Sequence, residues 1–223
     1  MKSEEAVKLL STFADRDKGR SIGAVVFKDG FAMATDGRVL IRQEIDDRES
    51  VSERAQSFPW SNAMSMIDEK NPGAWHKISK ESFEKLSEKF NEKLLEERER
   101  DRSEFRGRYK TLTCPCCNAE VYLDEHKNEL VSEKDQADYT LECDVDFPVE
   151  LQLEDAKLVN FGYIHMILRK FPDMEIALDM NRKDVLCLRN ANGDVRGLLM
   201  TLRVYGDHLS GNYDKLVLER VCK

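Results

Sequence analysis

The residues best suited to chemistry sit in one short run, Thr113-Cys114-Pro115-Cys116-Cys117-Asn118. Cys114 and Cys117 have the C-x2-C spacing with which a tight knuckle aims two thiolates at one zinc ion. Tetrahedral zinc takes four ligands, and no second C-x2-C exists in the chain. The expected structural zinc set is therefore Cys114, Cys117 and one or both of His126 and Cys143, with Cys116 as a spare thiol. Residues 109–112 and 121–123 read as the short strands of a zinc ribbon around the knuckle. The competing reading is of structural or redox-silent cysteines without a metal. Cys187, in an apolar run, and Cys222, at the terminus, look unrelated to the cluster.

Catalytic patterns do not form around these thiols. Zinc deaminases join H-x-E to P-C-x-x-C, but Pro115-Cys116 is followed three residues later by Ala119. No H-E-x-x-H, G-x-S-x-G, P-loop or G-x-G-x-x-G occurs. His76, His165 and His208 have no cysteine or acid neighbour at ligand spacing. The expectation is a protein that is not an enzyme. A three-ligand zinc site holding a water is the one hydrolytic alternative that spacing leaves open.

The setting that must position the cysteines is polar. In 223 residues there are 35 Lys and Arg against 43 Asp and Glu, a net charge of −8. With 41% hydrophobic and 35% charged residues, the chain can form a core, and its excess charge is local. The acidic balance excludes a protein that coats nucleic acid over its whole surface but allows a basic patch. No apolar run approaches the roughly 18 residues of a membrane span, and the N-terminus lacks a signal-peptide core. A cytoplasmic protein with unpaired thiols and no membrane partner is expected.

Three zones and a tail follow from composition. Residues 1–46 read as a short amphipathic helix with Val7, Leu9, Leu10 and Phe13 on neighbouring turns, then three β-prone runs separated by Asp29-Gly30 and Asp36-Gly37. Residues 47–141 are a charged helical segment with the cysteine knuckle. Within it Phe83, Leu86, Phe90 and Leu94 mark a long helix whose end, 96–102, is a run of mixed charge read as a solvated face. Residues 142–205 turn globular again: a strand at 149–153, a helix carrying Phe161, Ile164, Leu168 and Phe171, and three more strands. Residues 206–223 form a C-terminal tail. The outer zones each offer one helix and about three strands, a pseudo-repeat with the polar zone between its halves. Side by side they predict a two-layer α+β domain, with helices on one face of antiparallel sheet.

The first zone, Gly23-Ala24-Val25-Val26-Phe27-Lys28-Asp29-Gly30-Phe31-Ala32-Met33-Ala34-Thr35-Asp36-Gly37-Arg38-Val39-Leu40, resembles the bacterial DNA polymerase sliding clamp, in which a strand pair runs into an Ala-Thr-Asp-Gly-x-x-Leu turn. The last zone is similar to that family's closing unit, with Leu199-Met200-Thr201-Leu202-Arg203 in the place of its terminal Met-Pro-Met-Arg strand. The resemblance covers the first 46 residues and the last 60 to 65 before Tyr205. It implies a DNA-clamp-like domain of two helix-plus-antiparallel-strand units, interrupted by the helical insertion with its zinc ribbon. A clamp subunit has three such domains and this chain supplies one, so a ring would need several copies in a homo-oligomer.

By the same resemblance, a pocket for partner peptides falls on Thr35, Gly37, Arg38 and Leu40 together with Met200 and Leu202. Val39 and Thr201 replace the family's usual arginine and proline there. In a ring the two halves of that pocket come from adjoining domains, so here they would meet across a subunit contact. The alternative for Leu40, Met200 and Leu202 is an ordinary core position on alternating strands. The DNA-facing helices would present Lys8, Arg16, Lys18 and Arg20 in the first unit and Lys157, Arg169 and Lys170 in the second. Nearby acids leave these helices close to neutral, so binding to double-stranded DNA should be weak, non-specific and salt-labile. Two functions remain: a non-catalytic scaffold that recruits partners in DNA replication or related DNA metabolism, or a cytosolic protein-interaction module with a structural zinc knuckle and no DNA role.

Overall fold

The computed structural model describes residues 2–14, 22–46, 57–118, 120–131, 142–153, 156–202 and 213–221, without the side chain of Cys143. Helix α1 (Ser3–Leu10) opens where the Glu5 carboxylate accepts the Lys2 N–H, and it buries Ala6 and Leu10. A 3-10 turn, Ser11–Phe13, adds Phe13 to the same face. Strands β1 (Val26–Lys28), β2 (Phe31–Thr35) and β3 (Val39–Glu44) form the expected meander. Asp29 and Gly30 both have positive φ, 53° and 80°, the geometry that a right-twisting two-residue hairpin requires.

Helix α2 (Trp60–Asp68) and strand β4 (His76–Ile78) lead into α3 (Lys80–Arg108), 29 residues long and so about 43 Å from end to end. At its far end β5 (Lys110–Thr113), β6 (Glu120–Asp124) and β7 (Glu129–Val131) make a small meander of their own. The chain returns through a 3-10 turn, Glu142–Asp144, to β8 (Pro148–Leu151), β9 (Lys157–Asn160) and α4 (Phe161–Lys170). The Asn160 side chain caps α4 by accepting the Gly162 N–H. Strands β10 (Glu175–Leu178), β11 (Val185–Arg189) and β12 (Val195–Met200) follow, then β13 (Asp214–Leu216) and β14 (Leu218–Arg220).

The principal sheet has eight strands in the order β1-β2-β3-β12-β11-β10-β4-β14, every pair antiparallel. Its central seam joins the two outer zones: β3 pairs with β12 from Val195↔Gln43 to Leu199↔Val39. The sheet also takes β4 from the polar zone and β14 from the tail, so the boundaries drawn at 46/47 and 205/206 run through one sheet. Strand β13 joins β8 and β9 in a second sheet.

Period-two alternation sorts the strand residues into two cores. Ala32, Ala34, Val39, Ile41, Ile176, Leu186, Leu188, Val195 and Leu199 face α1, α3 and α4. Met33, Leu40, Ala177, Val185, Cys187 and Leu198 face α2, under Trp60, Ala63 and Ile67. The expectation of helices on one face only is corrected by α2. Val26, Met33, Leu40 and Leu198 leave an apolar surface on the other face, and Trp60 and Ile67 cover it. The polar zone is not pushed outward as a whole either. Leu86, Phe90 and Leu94 hold the first half of α3 in the larger core, and only its second half leads away to the β5–β7 meander.

Candidate metal centre and partner-binding rim

The β5–β6 connection is a tight knuckle. The Asn118 N–H donates to the Cys114 carbonyl at 2.9 Å, and Asn118 takes φ 55°, a left-handed conformation that asparagine tolerates. This folds the thiols of Cys114, Cys116 and Cys117 to within 4.8 Å of one another, with Cys114 Sγ 2.8 Å from Cys116 Sγ. The Cys116 thiol hydrogen-bonds Cys114, with further help from its N–H and from Cys117, and brings the Cys114 thiol down to about 7. The same bond holds Cys116 in its protonated form and pushes its pKa up. The meander that carries the knuckle has a small core of Phe105, Tyr109, Tyr122 and Val131, with Phe105 5.0 Å from Tyr122 between ring centroids. Three soft donors converging on one point suit a d10 cation such as zinc.

The predicted ligands divide. Cys114 and Cys117 come together, and Cys116, expected as a spare thiol, joins them. His126 stands apart, in the turn after β6, whereas the cysteine knuckle precedes β6. Successive turns of an antiparallel meander lie at opposite ends of the shared strand, here about 13 Å apart. Cys143 lies in the 3-10 turn 142–144, and its side chain is outside the described residues. Cys187 is buried in β11, where desolvation and the Asp179 charge push its thiol up to about 12. Cys222 is outside the described residues.

The second candidate is the rim where β3 meets β12. Gly37 has φ 91°, and the turn around it is closed by side chains: Thr35 Oγ1 accepts the Gly37 N–H, and Asp36 Oδ1 accepts those of Arg38 and Val39. Asp36 Oδ2 also accepts the Tyr163 hydroxyl at 2.7 Å, which ties the turn to α4. No sequence signal marked this anchor, because Tyr163 sits within an apolar helix pattern. The Met200 N–H donates to the Arg38 carbonyl at 2.9 Å, and the Leu202 N–H to the Leu158 carbonyl at 2.8 Å. Thr35, Gly37, Arg38 and Met200 therefore share one rim inside a single chain, not across a subunit contact, and Leu202 follows two residues on, bonded to β9. Met200 and Leu202 remain 37% and 38% exposed, while Leu40 is buried beneath α2.

The expected DNA-facing cations are less available. Lys8 is exposed on α1, and Lys157 and Lys170 are half-buried. Arg169 donates to Glu142 Oε1 at 2.6 Å, and Glu142 Oε2 lies 2.9 Å from His165 Nδ1. Burial works to raise the Glu142 pKa, but the hydrogen bond and charge of His165 and the charge of Arg169 outweigh it and hold the carboxyl below its usual range. Phe83 and Phe90 of α3 lie against Phe161 and His165, so α4 is covered by α3. The covering helix carries nine basic and nine acidic side chains. Arg16, Lys18 and Arg20 lie outside the described residues.

No protein-family model matches the chain, and no curated protein does. Among solved structures it is similar to DNA polymerase III subunit beta from Borrelia burgdorferi, solved in complex with a natural product. The two are 12% identical with a TM-score of 0.49, over 91% of this chain and 62% of that one. The chain thus spans less than two thirds of that protein's length. No helix among the described residues is long and apolar enough to cross a membrane.

Proposed function

We propose that this chain is a non-catalytic, clamp-like scaffold in DNA replication or related DNA metabolism, which offers the rim around Gly37 and Met200 to short partner peptides. The supporting observation is the β3–β12 seam, which draws the two clamp-like stretches into one sheet and sets the Asp36-Gly37 turn beside Met200. Exposed Met200 and Leu202 supply apolar contact, and the Arg38 side chain supplies a charged edge. Contact with double-stranded DNA is weak and non-specific and depends on assembly of several copies in the cytoplasm. Sedimentation and retention on DNA test this. A closed oligomer should stay on circular DNA and slide off after linearisation; a monomer retained on neither form removes the DNA role.

A second reading, a protein-interaction module without DNA contact, is favoured by the covering of α4 and the charge balance of α3. Peptide binding lost in Met200→Asp, with no retention on circular DNA, selects it. On either reading the knuckle would hold a structural zinc ion through Cys114, Cys116 and Cys117, with Cys143 as the candidate fourth donor. Such an ion would brace a meander whose own core, among the described residues, is Phe105, Tyr109, Tyr122 and Val131. Elemental analysis after dialysis should find about one equivalent of zinc. Less than about a tenth of an equivalent means the thiols serve no metal.

A further inference from the structure

On the α2 face of the principal sheet, three arginines stand in one cross-strand row. Arg42 of β3 pairs in register with Arg196 of β12, and Arg196 pairs with Arg189 of β11. Neighbouring strands are about 4.8 Å apart, and like charges placed directly opposite one another destabilise a sheet. The outer two are compensated. Arg42 Nη1 donates to Asp68 Oδ1 at 2.9 Å and lies over the Phe31 ring. Arg189 bonds Glu175 Oε2 through both Nε and Nη2 at 2.8 Å and stacks on Trp75, 4.0 Å from the ring centroid. Arg196, between them, is exposed, and its side chain makes no ion pair or hydrogen bond among the described residues. The row holds three cations and two anions.

That imbalance opens onto a cavity of about 1020 Å3. Its walls are the end of α2 with Ile67 and Asp68, the 70–75 segment with Lys70 and Trp75, the β11–β12 hairpin, and the 220–221 end of β14. Lys70 is engaged with Asp179 at 3.0 Å. Its lining includes apolar Ile67 and Leu198 and the aromatic Trp75, so a flat apolar ring has a place beside the cationic row. The volume lies at the upper end of the range typical for small-molecule sites.

We infer that this cavity binds a phosphate-bearing ligand of nucleotide size, with the guanidinium of Arg196 taking the phosphate and the apolar floor beside Trp75 taking the base. A phosphate supplies the charge that the arginine row lacks, and the guanidinium fork matches its geometry. The same chemistry is offered by a free nucleotide and by the unpaired end of a nucleic-acid strand. Arg196 lies four residues from Met200 along β12, and the inference does not depend on the clamp-like reading.

Calorimetric titration of the full chain with ATP, with a twelve-residue oligothymidylate and with hexaglutamate tests it. ATP or the oligothymidylate should bind, and Arg196→Thr should weaken that binding by about tenfold or more. The same substitution should leave the thermal midpoint of the ligand-free protein unchanged or raise it, because it removes a like-charge neighbour. Arg182→Thr, outside the cavity, should bind as the parent does. Binding by ATP alone assigns the site to free nucleotides, and binding by the oligothymidylate alone assigns it to a strand. The inference is overturned if neither binds, if Arg196→Thr binds as tightly as the parent or loses its fold, or if hexaglutamate binds equally well.

Discussion

At the scale of single residues, Gly197 shows how closely the seam is built. A Cβ placed there would lie 2.5 Å from the Leu40 carbonyl oxygen and 2.7 Å from Ile41 Cδ1. Ile41 can shift its end carbon, but the Leu40 oxygen is backbone held in the sheet, so the strands would have to part. Gly197→Ala should therefore destabilise the protein by about 1–3 kcal/mol, read from urea unfolding followed by circular dichroism. An unchanged midpoint would mean that the seam is looser than its contacts imply. Nothing in Val195-Arg196-Gly197-Leu198 announces this role, since a strand glycine reads equally as a bulge or a weak point. The cysteines are the opposite case. C-x2-C spacing made Cys114 and Cys117 candidates, but only the knuckle's fold brought Cys116 in and left His126 at the other end of β6.

Among the elements, α3 does two jobs, and its sequence marks where one gives way to the other. Its first half is a core helix. Phe90 is fully buried, with its ring 5.1–5.8 Å from those of Phe147, Phe161 and His165. Beyond Leu94 the helix is charged until Phe105 meets Tyr122 in the small meander. Phe90→Ala should cost about 3–5 kcal/mol, whereas Leu95→Ala, one residue past Leu94 and 60% exposed, should stay within about 0.5 kcal/mol. Thermal unfolding of the two variants side by side gives the comparison; equal losses would contradict the packing. The three-, four- and four-residue spacing of Phe83, Leu86, Phe90 and Leu94 made this helix readable. Strands β4, β13 and β14 were not readable, because each has three residues and gains its stability from a neighbour distant in sequence.

Taken whole, the molecule is tied together by carboxylates that join distant segments. Glu142 bonds His165 and Arg169, Asp179 bonds Lys70, and Asp194 bonds Gln43. For all three, burial works to raise the pKa, and bonding to the charged form outweighs it. Lys70 and the N–H groups of Asn181 and Asn71 do this for Asp179, and Asn190 and Gln43 for Asp194. Each therefore sits below its unfolded value, near 4.5 for glutamate and 3.8 for aspartate. Protons bind the unfolded chain first as pH falls, so their contribution is full above those values and is lost below them. Stability should be level with respect to these groups above about pH 5 and fall below about pH 4. Glu142→Gln should flatten that acid limb in denaturant titrations repeated across pH, and an acid limb unchanged by the substitution would exclude Glu142 as a source.

The sequence by itself determined the elements whose signal is local. These are the amphipathic first helix, the Asp29-Gly30 hairpin, the apolar stripes of α3 and α4 and the alternating strands on either side of the Asn192-Gly193 turn. It also determined that the two end zones form a pair, because neither offers enough apolar surface to bury alone. Tertiary structure decided everything that depends on which strands become neighbours: the β3–β12 seam, the recruitment of 76–78 and 218–220 into the same sheet, and the second core under α2. It also decided the row in which Arg196 is left without a partner. Periodicity assigns a residue to one face of its own strand, but cross-strand register, which sets charge against charge, exists only once the chain has folded.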